Sequence, residues 1–300
     1  MCASISLGSF KNNLGIHVFY KIWKPKETKV NVVFCHGHSE HVSRYSDIFT
    51  RFAGNGIKVL AFDQVGYGET GMKMNDLGGA RGAEQLLLDM TKAIDEIHKP
   101  GVPLFLMGHS FGGLGVLNYL SRGKKRELVH GGITSAPCLV PGRAAPPLVL
   151  QMLIVIFSYI IPLLEIKVSV KWEDLSRSES TQEKLTNDPL VTFNSTLIQL
   201  RDLALGSLKL FLGGYKSINV PNLLLVHGAK DAVISYGATA SLVEKLNKNG
   251  RIPNLEMKTL PEAHHDLMFE PEGDELVSYF INWITSNASG ERPNLQPTQQ

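Results

Sequence analysis

Residues 103–120 read PLFLMGHSFGGLGVLNYL. The apolar run before Gly108 has the character of a buried strand, and the residues after Gly112 are helix-like. Between them stands Gly108-His109-Ser110-Phe111-Gly112, a G-x-S-x-G turn in which a strand passes directly into a helix. So tight a turn leaves no room for a Cβ at its flanking positions, which accounts for the glycines. It pushes the Ser110 hydroxyl out above the carboxyl edge of the sheet. A serine hydroxyl is a poor nucleophile near neutral pH, so a base and a group to orient that base should lie elsewhere in the chain.

The surrounding sequence supplies the sheet. Residues 5–10 and 16–23 read as an opening pair of strands, and 30–35 (VNVVFC) is a continuous apolar run expected to be buried on both faces. A helix is expected at 45–55, a strand at 59–63, a helix at 83–98 and, after the serine turn, a strand at 128–135. Alternation stops after Ser135, where Pro137, Pro141, Pro146 and Pro147 cluster. It resumes with a strand at 222–227 (NLLLVH), a helix at 237–247, a strand at 254–259 and a last helix near 275–285. Strands alternating with helices imply an α/β fold, a mostly parallel sheet with helices on both faces. The division expected is a core in two parts, 1–137 and 218–286, with an inserted lid at 138–217 and a disordered polar tail at 287–300.

Catalytic partners of such a serine follow in the order acid, then histidine, each just after a later strand. The strand at 222–227 runs into Gly228-Ala229-Lys230-Asp231, which makes Asp231 the candidate acid. The strand at 254–259 runs into Leu260-Pro261-Glu262-Ala263-His264-His265, where either imidazole could serve as base. Asp266 is an alternative acid, but it adjoins both histidines on one loop and is badly placed to orient them. An oxyanion needs preorganised N–H donors. The backbone N–H of Phe111 stands at a helix N-terminus, where the dipole favours negative charge, and the N–H of His38 in Cys35-His36-Gly37-His38-Ser39 is the second candidate.

Composition narrows the field. The chain of 300 residues is 43% hydrophobic and 19% charged with a net charge of +2, which excludes the concentrated cationic footprint of a nucleic-acid binder. Cys2, Cys35 and Cys138 are too few for a disulfide framework or a zinc cluster and fit a reducing, cytoplasmic compartment. MCASISLGSF lacks the basic-then-apolar pattern of a secretory leader. The run at 148–164 (LVLQMLIVIFSYIIPLL) falls short of the ~20 residues a spanning helix needs and carries Pro162. It reads instead as a lid helix, apolar nearly all round, that packs on the core and can touch a membrane or lipid droplet.

Several segments together resemble the monoacylglycerol lipases. His36-Gly37-His38-Ser39-Glu40-His41-Val42-Ser43-Arg44-Tyr45 is similar to that family's HG-x-G-E-H-x-x-R-Y, and Asp63-Gln64-Val65-Gly66-Tyr67-Gly68-Glu69-Thr70 to its D-x-x-G-x-G-x-S. So are Leu175-Ser176-Arg177 and Asn187-Asp188-Pro189-Leu190 in the lid, and the GHSFGG, VHGAKD and EAHHD segments, over residues 15 to 285. The resemblance implies the α/β-hydrolase fold and cleavage of a monoacylglycerol to fatty acid and glycerol, with no metal or organic cofactor. It places the base on His265, through that family's G-A-x-H. It also implies that the glycerol head group meets Glu40 and Arg44, with the acyl chain in an apolar tunnel under the lid. Ser39 departs from the family's glycine, His38 from a small residue, Met268 from a second histidine and Thr70 from serine. Other lipid carboxylesterases, lysophospholipases, thioesterases and proline-type aminopeptidases share the triad, and pocket and lid separate them. A non-catalytic binding protein on the same fold is the more distant alternative.

Overall fold

The computed structural model describes residues 4–168 and 170–288. Most of the expected tail, at 289–300, therefore lies outside the described residues. The chain runs β1 (Ser4–Lys11), β2 (His17–Lys24), β3 (Val30–Cys35), α1 (Ser46–Gly54), β4 (Ile57–Phe62), α2 (Gly68–Lys73), α3 (Gly82–Ile97), β5 (Leu104–His109), α4 (Phe111–Arg122) and β6 (Val129–Ser135). An intervening segment holds α5 (Leu148–Ser158), β7 (Glu165–Lys167), α6 (Trp172–Leu175), α7 (Glu179–Asn187), β8 (Asn194–Thr196), α8 (Leu197–Leu205) and α9 (Leu208–Phe211). The sheet is then completed by β9 (Asn222–Gly228), α10 (Tyr236–Asn249), β10 (Asn254–Leu260) and α11 (Gly273–Ser286).

Eight strands lie in the order β1-β2-β4-β3-β5-β6-β9-β10. The pairings β1–β2 and β2–β4 are antiparallel and the rest are parallel. The mostly parallel sheet is the one the alternation of elements predicts, and its strand order is that of the α/β-hydrolase fold implied by the resemblance. Burial on both faces is literal in β3, where Val33 and Cys35 join one apolar cluster while Val30, Val32 and Phe34 join the other. Strands β5 and β9 alternate in the same way, Leu104 and Leu106 against Phe105 and Met107, and Leu223 and Leu225 against Leu224 and Val226. Helices α3, α4 and α10 cover the first face; α1 and α11 cover the second. Each such side chain contributes about 1.5–3 kcal/mol by leaving water, so the strands are fixed from both sides. The loops after β3, β5, β9 and β10 consequently all leave from the same carboxyl edge.

The apolar run at 148–164 is not one helix. Helix α5 ends at Ser158, whose hydroxyl donates to the Val155 carbonyl at 2.6 Å. Pro162 disfavours helical backbone at the residue before it, so the chain bends before β7 pairs antiparallel with β8. Among the described residues no helix is long and apolar enough to cross a membrane.

One buried charge in the core is removable. Asp89 of α3 is 1% exposed and accepts from Asn12 Nδ2 at 3.1 Å and Gln85 Nε2 at 2.9 Å. Burial outweighs those bonds and pushes its pKa up to about 7. An unfolded aspartate ionises at about 3.9. The folded state thus keeps a proton that the unfolded state releases, so stability falls as pH rises through that window, and the full penalty stands above it. We expect Asp89→Asn to stabilise the protein by about 2–4 kcal/mol at pH 8 and very little at pH 4. Urea unfolding at the two pH values measures it, and an equal effect at both would contradict the assignment.

Candidate active site

The serine turn has the geometry its glycines imply. Ser110 has φ 51° and ψ −116°, outside the regions an L-residue prefers. A Cβ on Gly108 would stand 2.3 Å from the Gly112 carbonyl oxygen, and one on Gly112 would stand 2.1 Å from that of Cys35. The strained residue is held by its own backbone, since Ser110 N–H donates to Ser135 O at 2.9 Å and Cys138 N–H to Ser110 O at 3.0 Å.

His265 Nε2 lies 2.9 Å from Ser110 Oγ, and its Nδ1 lies 2.8 Å from Asp231 Oδ2. All three side chains are buried, at 3–8% exposure, so these bonds form where water competes weakly. Asp231 Oδ1 accepts from the amides of Val233 at 2.8 Å and Ile234 at 2.9 Å. Burial would raise its pKa, but His265 and His227 hold it well below the usual carboxylate range. A carboxylate can only accept, so Nδ1 of His265 carries the proton and Nε2 faces the serine hydroxyl as an acceptor. Burial works to lower the His265 pKa; the Asp231 carboxylate, with Asp266 and Glu40 behind it, outweighs burial and raises it. The backbone of the histidine loop is also held from the intervening segment, where Leu175 O accepts both the His265 amide at 3.0 Å and the Asp266 amide at 2.8 Å. The Leu175-Ser176-Arg177 motif therefore braces the histidine loop, and Arg177 secures it through Glu270, from Nε at 2.5 Å and from its own amide at 2.8 Å.

The loop after β3 packs directly on the serine, since a Cβ on Gly37 would stand 3.1 Å from Ser110 Cβ. Gly37 N–H donates to Glu40 Oε1 at 2.5 Å. The His38 imidazole meets the Tyr67 hydroxyl through Nδ1 at 2.8 Å, and burial lowers its pKa to about 4. Phe111 opens α4, where the first amides of a helix have no partner within it. Ser39 has φ 67°, and its buried hydroxyl finds no partner. The loop thus keeps a left-handed conformation that serine resists. Ser39→Gly removes about 1–2 kcal/mol of strain and an unpaired hydroxyl at a cost of about 0.5–1 kcal/mol in chain entropy. The variant should melt a few degrees higher; an unchanged or lower melting temperature would contradict the strain.

Glu40 and Arg44 line the cavity, but their charges are already engaged. Arg44 pairs with Glu40 through NH1 and with Asp266 Oδ2 through NH2 at 2.7 Å. The Tyr45 hydroxyl donates to Glu40 at 2.8 Å, and His109 Nε2 stands 3.0 Å from Asp266 Oδ1. This chain of charges joins the loop after β3, the serine turn and the histidine loop. Sequence reasoning did not find it: His109 and Asp266 carry a signal, each being polar and next to a predicted catalytic residue, but their pairing spans 157 residues of chain.

A cavity of about 500 Å³ opens onto Ser110 and His265. Beyond the polar end its wall is mostly apolar, with Leu150, Ile154, Leu185, Val191, Phe193 and Leu200 among the lining residues. The two acids lining it, Glu40 and Asp266, are the two that Arg44 holds.

Residues 26–272 match the Hydrolase_4 family, described as serine aminopeptidase, S33. An abhydrolase domain-containing protein of Dictyostelium discoideum is 30% identical over 98% of this chain, which spans only 30% of that protein's length. A putative monoglyceride lipase of Schizosaccharomyces pombe is 28% identical over 89% of this chain and 71% of its own. The crystal structure of a soluble variant of monoglyceride lipase from Saccharomyces cerevisiae, in complex with a substrate analog, superposes with a TM-score of 0.81 at 20% identity, covering 97% of each chain. With a family match over most of its length and the sheet order of that fold, this chain belongs to the Hydrolase_4 family and is a hydrolase of the α/β-hydrolase fold.

Proposed function

We propose that this protein cleaves the ester of a long-chain monoacylglycerol to fatty acid and glycerol, through an acyl-enzyme on Ser110. The observation that carries this reading is the Ser110–His265–Asp231 relay opening onto an apolar cavity of about 500 Å³. Ser110 Oγ attacks the ester carbonyl while His265 Nε2 takes its proton, and Asp231 stabilises the imidazolium. The oxyanion is met by the N–H groups of Phe111 and His38; the Gly37 amide is already given to Glu40. His265 then protonates the departing glycerol alkoxide, and a water molecule, deprotonated by the same imidazole, releases the fatty acid.

In this reading residues 138–217 form a lid. Helix α5 turns Leu150 and Ile154 to the cavity, while Leu148 and Val149 beside them are 70% and 69% exposed. That face suits contact with a lipid surface, from which an acyl chain would reach the cavity without crossing water. Glu40 and Arg44 wall the glycerol end as a pre-paired polar surface. An aminopeptidase is disfavoured because neither cavity acid is free to take a substrate amine.

A series of glycerol esters from acetyl to palmitoyl tests the proposal. Burying a methylene is worth ~0.8 kcal/mol, so kcat/KM should climb about three- to fourfold per added methylene until the tunnel is full. Equal rates for acetyl and long-chain esters, or faster release of an aminoacyl amide, would remove it.

A further inference from the structure

Asp231 Oδ2 serves two histidines. Besides His265 Nδ1 at 2.8 Å, it lies 3.1 Å from Nε2 of His227, a fully buried residue of β9. A carboxylate only accepts, so His227 donates through Nε2, and its Nδ1 accepts a hydrogen bond from the Thr239 hydroxyl of α10, 2.8 Å away and also fully buried. With the amides of Val233 and Ile234 on Oδ1, all four acceptor positions of the carboxylate are filled.

We propose that His227 is a positioning residue of the reaction: its Nε2–H shares Asp231 Oδ2 with the base and so sets how strongly the carboxylate holds His265. This rests on the triad reading above. Each N–H given to a carboxylate disperses its charge and weakens its pull on a neighbouring imidazole. His227 therefore tempers the pair: it fixes the carboxylate in one orientation and keeps His265 from becoming too basic to release its proton to the leaving alcohol. His227 does not line the cavity, so it acts on the chemical step and not on substrate binding.

The other charged and titratable groups around the pair are fixed by their own partners. Asp266 and Glu40 face His265 and are held by Arg44, the His109 ring lies 4.9 Å from the His265 ring, the Cys138 thiol stands near Asp231, and the Tyr236 ring lies 6.0 Å from that of His227 with its hydroxyl 3.0 Å from Thr259 Oγ1. The acid limb of kcat/KM reports His265, whose raised pKa puts it above the ordinary histidine value of about 6.5. Activity is present above that limb and lost below it, because the base must be unprotonated.

Two substitutions separate the roles of the two ring nitrogens. The amide of His227→Asn stands near Nδ1 and can meet Thr239 but not Asp231, whereas His227→Gln places its amide near Nε2 and keeps the donor. We expect the acid limb of His227→Asn to move up by about half a pH unit, with kcat lowered severalfold and KM unchanged. His227→Gln should return the limb to within about 0.2 units of the wild type. A folded Asn variant whose limb stays in place, or a Gln variant that moves as far as Asn, overturns the role. Should neither variant fold, imidazole nitrogen NMR of the unaltered protein at pH 8 decides. His227 protonated on Nε2 upholds the assignment, and His227 protonated on Nδ1 overturns it. A wild type that turns over no ester refutes the triad and this role together, whereas an active wild type with an unmoved limb in the Asn variant refutes only the role of His227.

Discussion

Ser110→Ala should lose ester hydrolysis by about four orders of magnitude or more while remaining folded. The expectation is large because no neighbouring group can take over. Cys138 lines the same cavity, but burial pushes its thiol up to about 12, so no thiolate is on hand near neutral pH. Ser39 also lines the cavity, but nothing pairs its hydroxyl with a base. The fold should survive because the turn is held by backbone contacts, Ser110 N–H to Ser135 O and Cys138 N–H to Ser110 O, which alanine keeps. Alanine inherits the positive φ without adding to it. Hydrolysis of a chromogenic fatty-acid ester measures the loss, labelling by a fluorophosphonate should vanish in parallel, and the melting temperature should stay within a few degrees. Substantial turnover by a folded alanine variant would remove the covalent mechanism altogether.

What the sequence reveals of this molecule depends on the range of the forces involved. Strands β3, β5 and β9 are legible because burial on both faces demands an unbroken apolar run, and their alternation between two clusters carries no further condition. The serine turn is legible because its steric demand falls on residues two positions away. The left-handed Ser39 could be foreseen only through its departure from the glycine of related sequences. Helix α5 was harder: apolar composition continues to Leu164, while the helix stops at Ser158, where Pro162 and a local hydroxyl bond end it. The short pairing of β7 with β8 leaves almost no pattern in three residues each. His227 is in plain sight within NLLLVHG, yet its contact with Asp231 follows from the turn after β9, and sequence periodicity says only that it belongs to a strand. The buried chain Glu40–Arg44–Asp266–His109 is the clearest limit. Its members lie on the segment after β3, at the last residue of β5 and on the histidine loop, and only the assembled sheet brings them together.

That chain carries the second large expectation. Arg44 is nearly buried between Glu40 and Asp266, with its guanidinium 4.5 Å from the centre of the Phe269 ring. Burial alone would push both carboxyl groups up; the guanidinium outweighs it, holding Glu40 below its ordinary value and Asp266 well below. Arg44→Ala leaves two buried carboxylates facing each other without a cation. Breaking a buried pair from one side costs about 3–5 kcal/mol, which for a chain of this size lowers the melting temperature by about 5–8 °C. Lysine offers a point charge in place of a planar fork, so Arg44→Lys can satisfy one carboxylate and should recover only part of the loss. The effect should reach catalysis as well. Glu40 Oε1 holds the Gly37 amide, and Gly37 packs on Ser110, so a Glu40 released from Arg44 lets the loop proposed to carry the oxyanion donor at His38 move. Losing one such donor costs about 10²–10³ in kcat. Activity per folded molecule, measured below the lowered melting temperature, should therefore fall in kcat more than it rises in KM. A variant that melts within a degree or two of the wild type and changes KM alone would mean that Arg44 meets the glycerol head group directly. The stability of the site would then have to come from elsewhere.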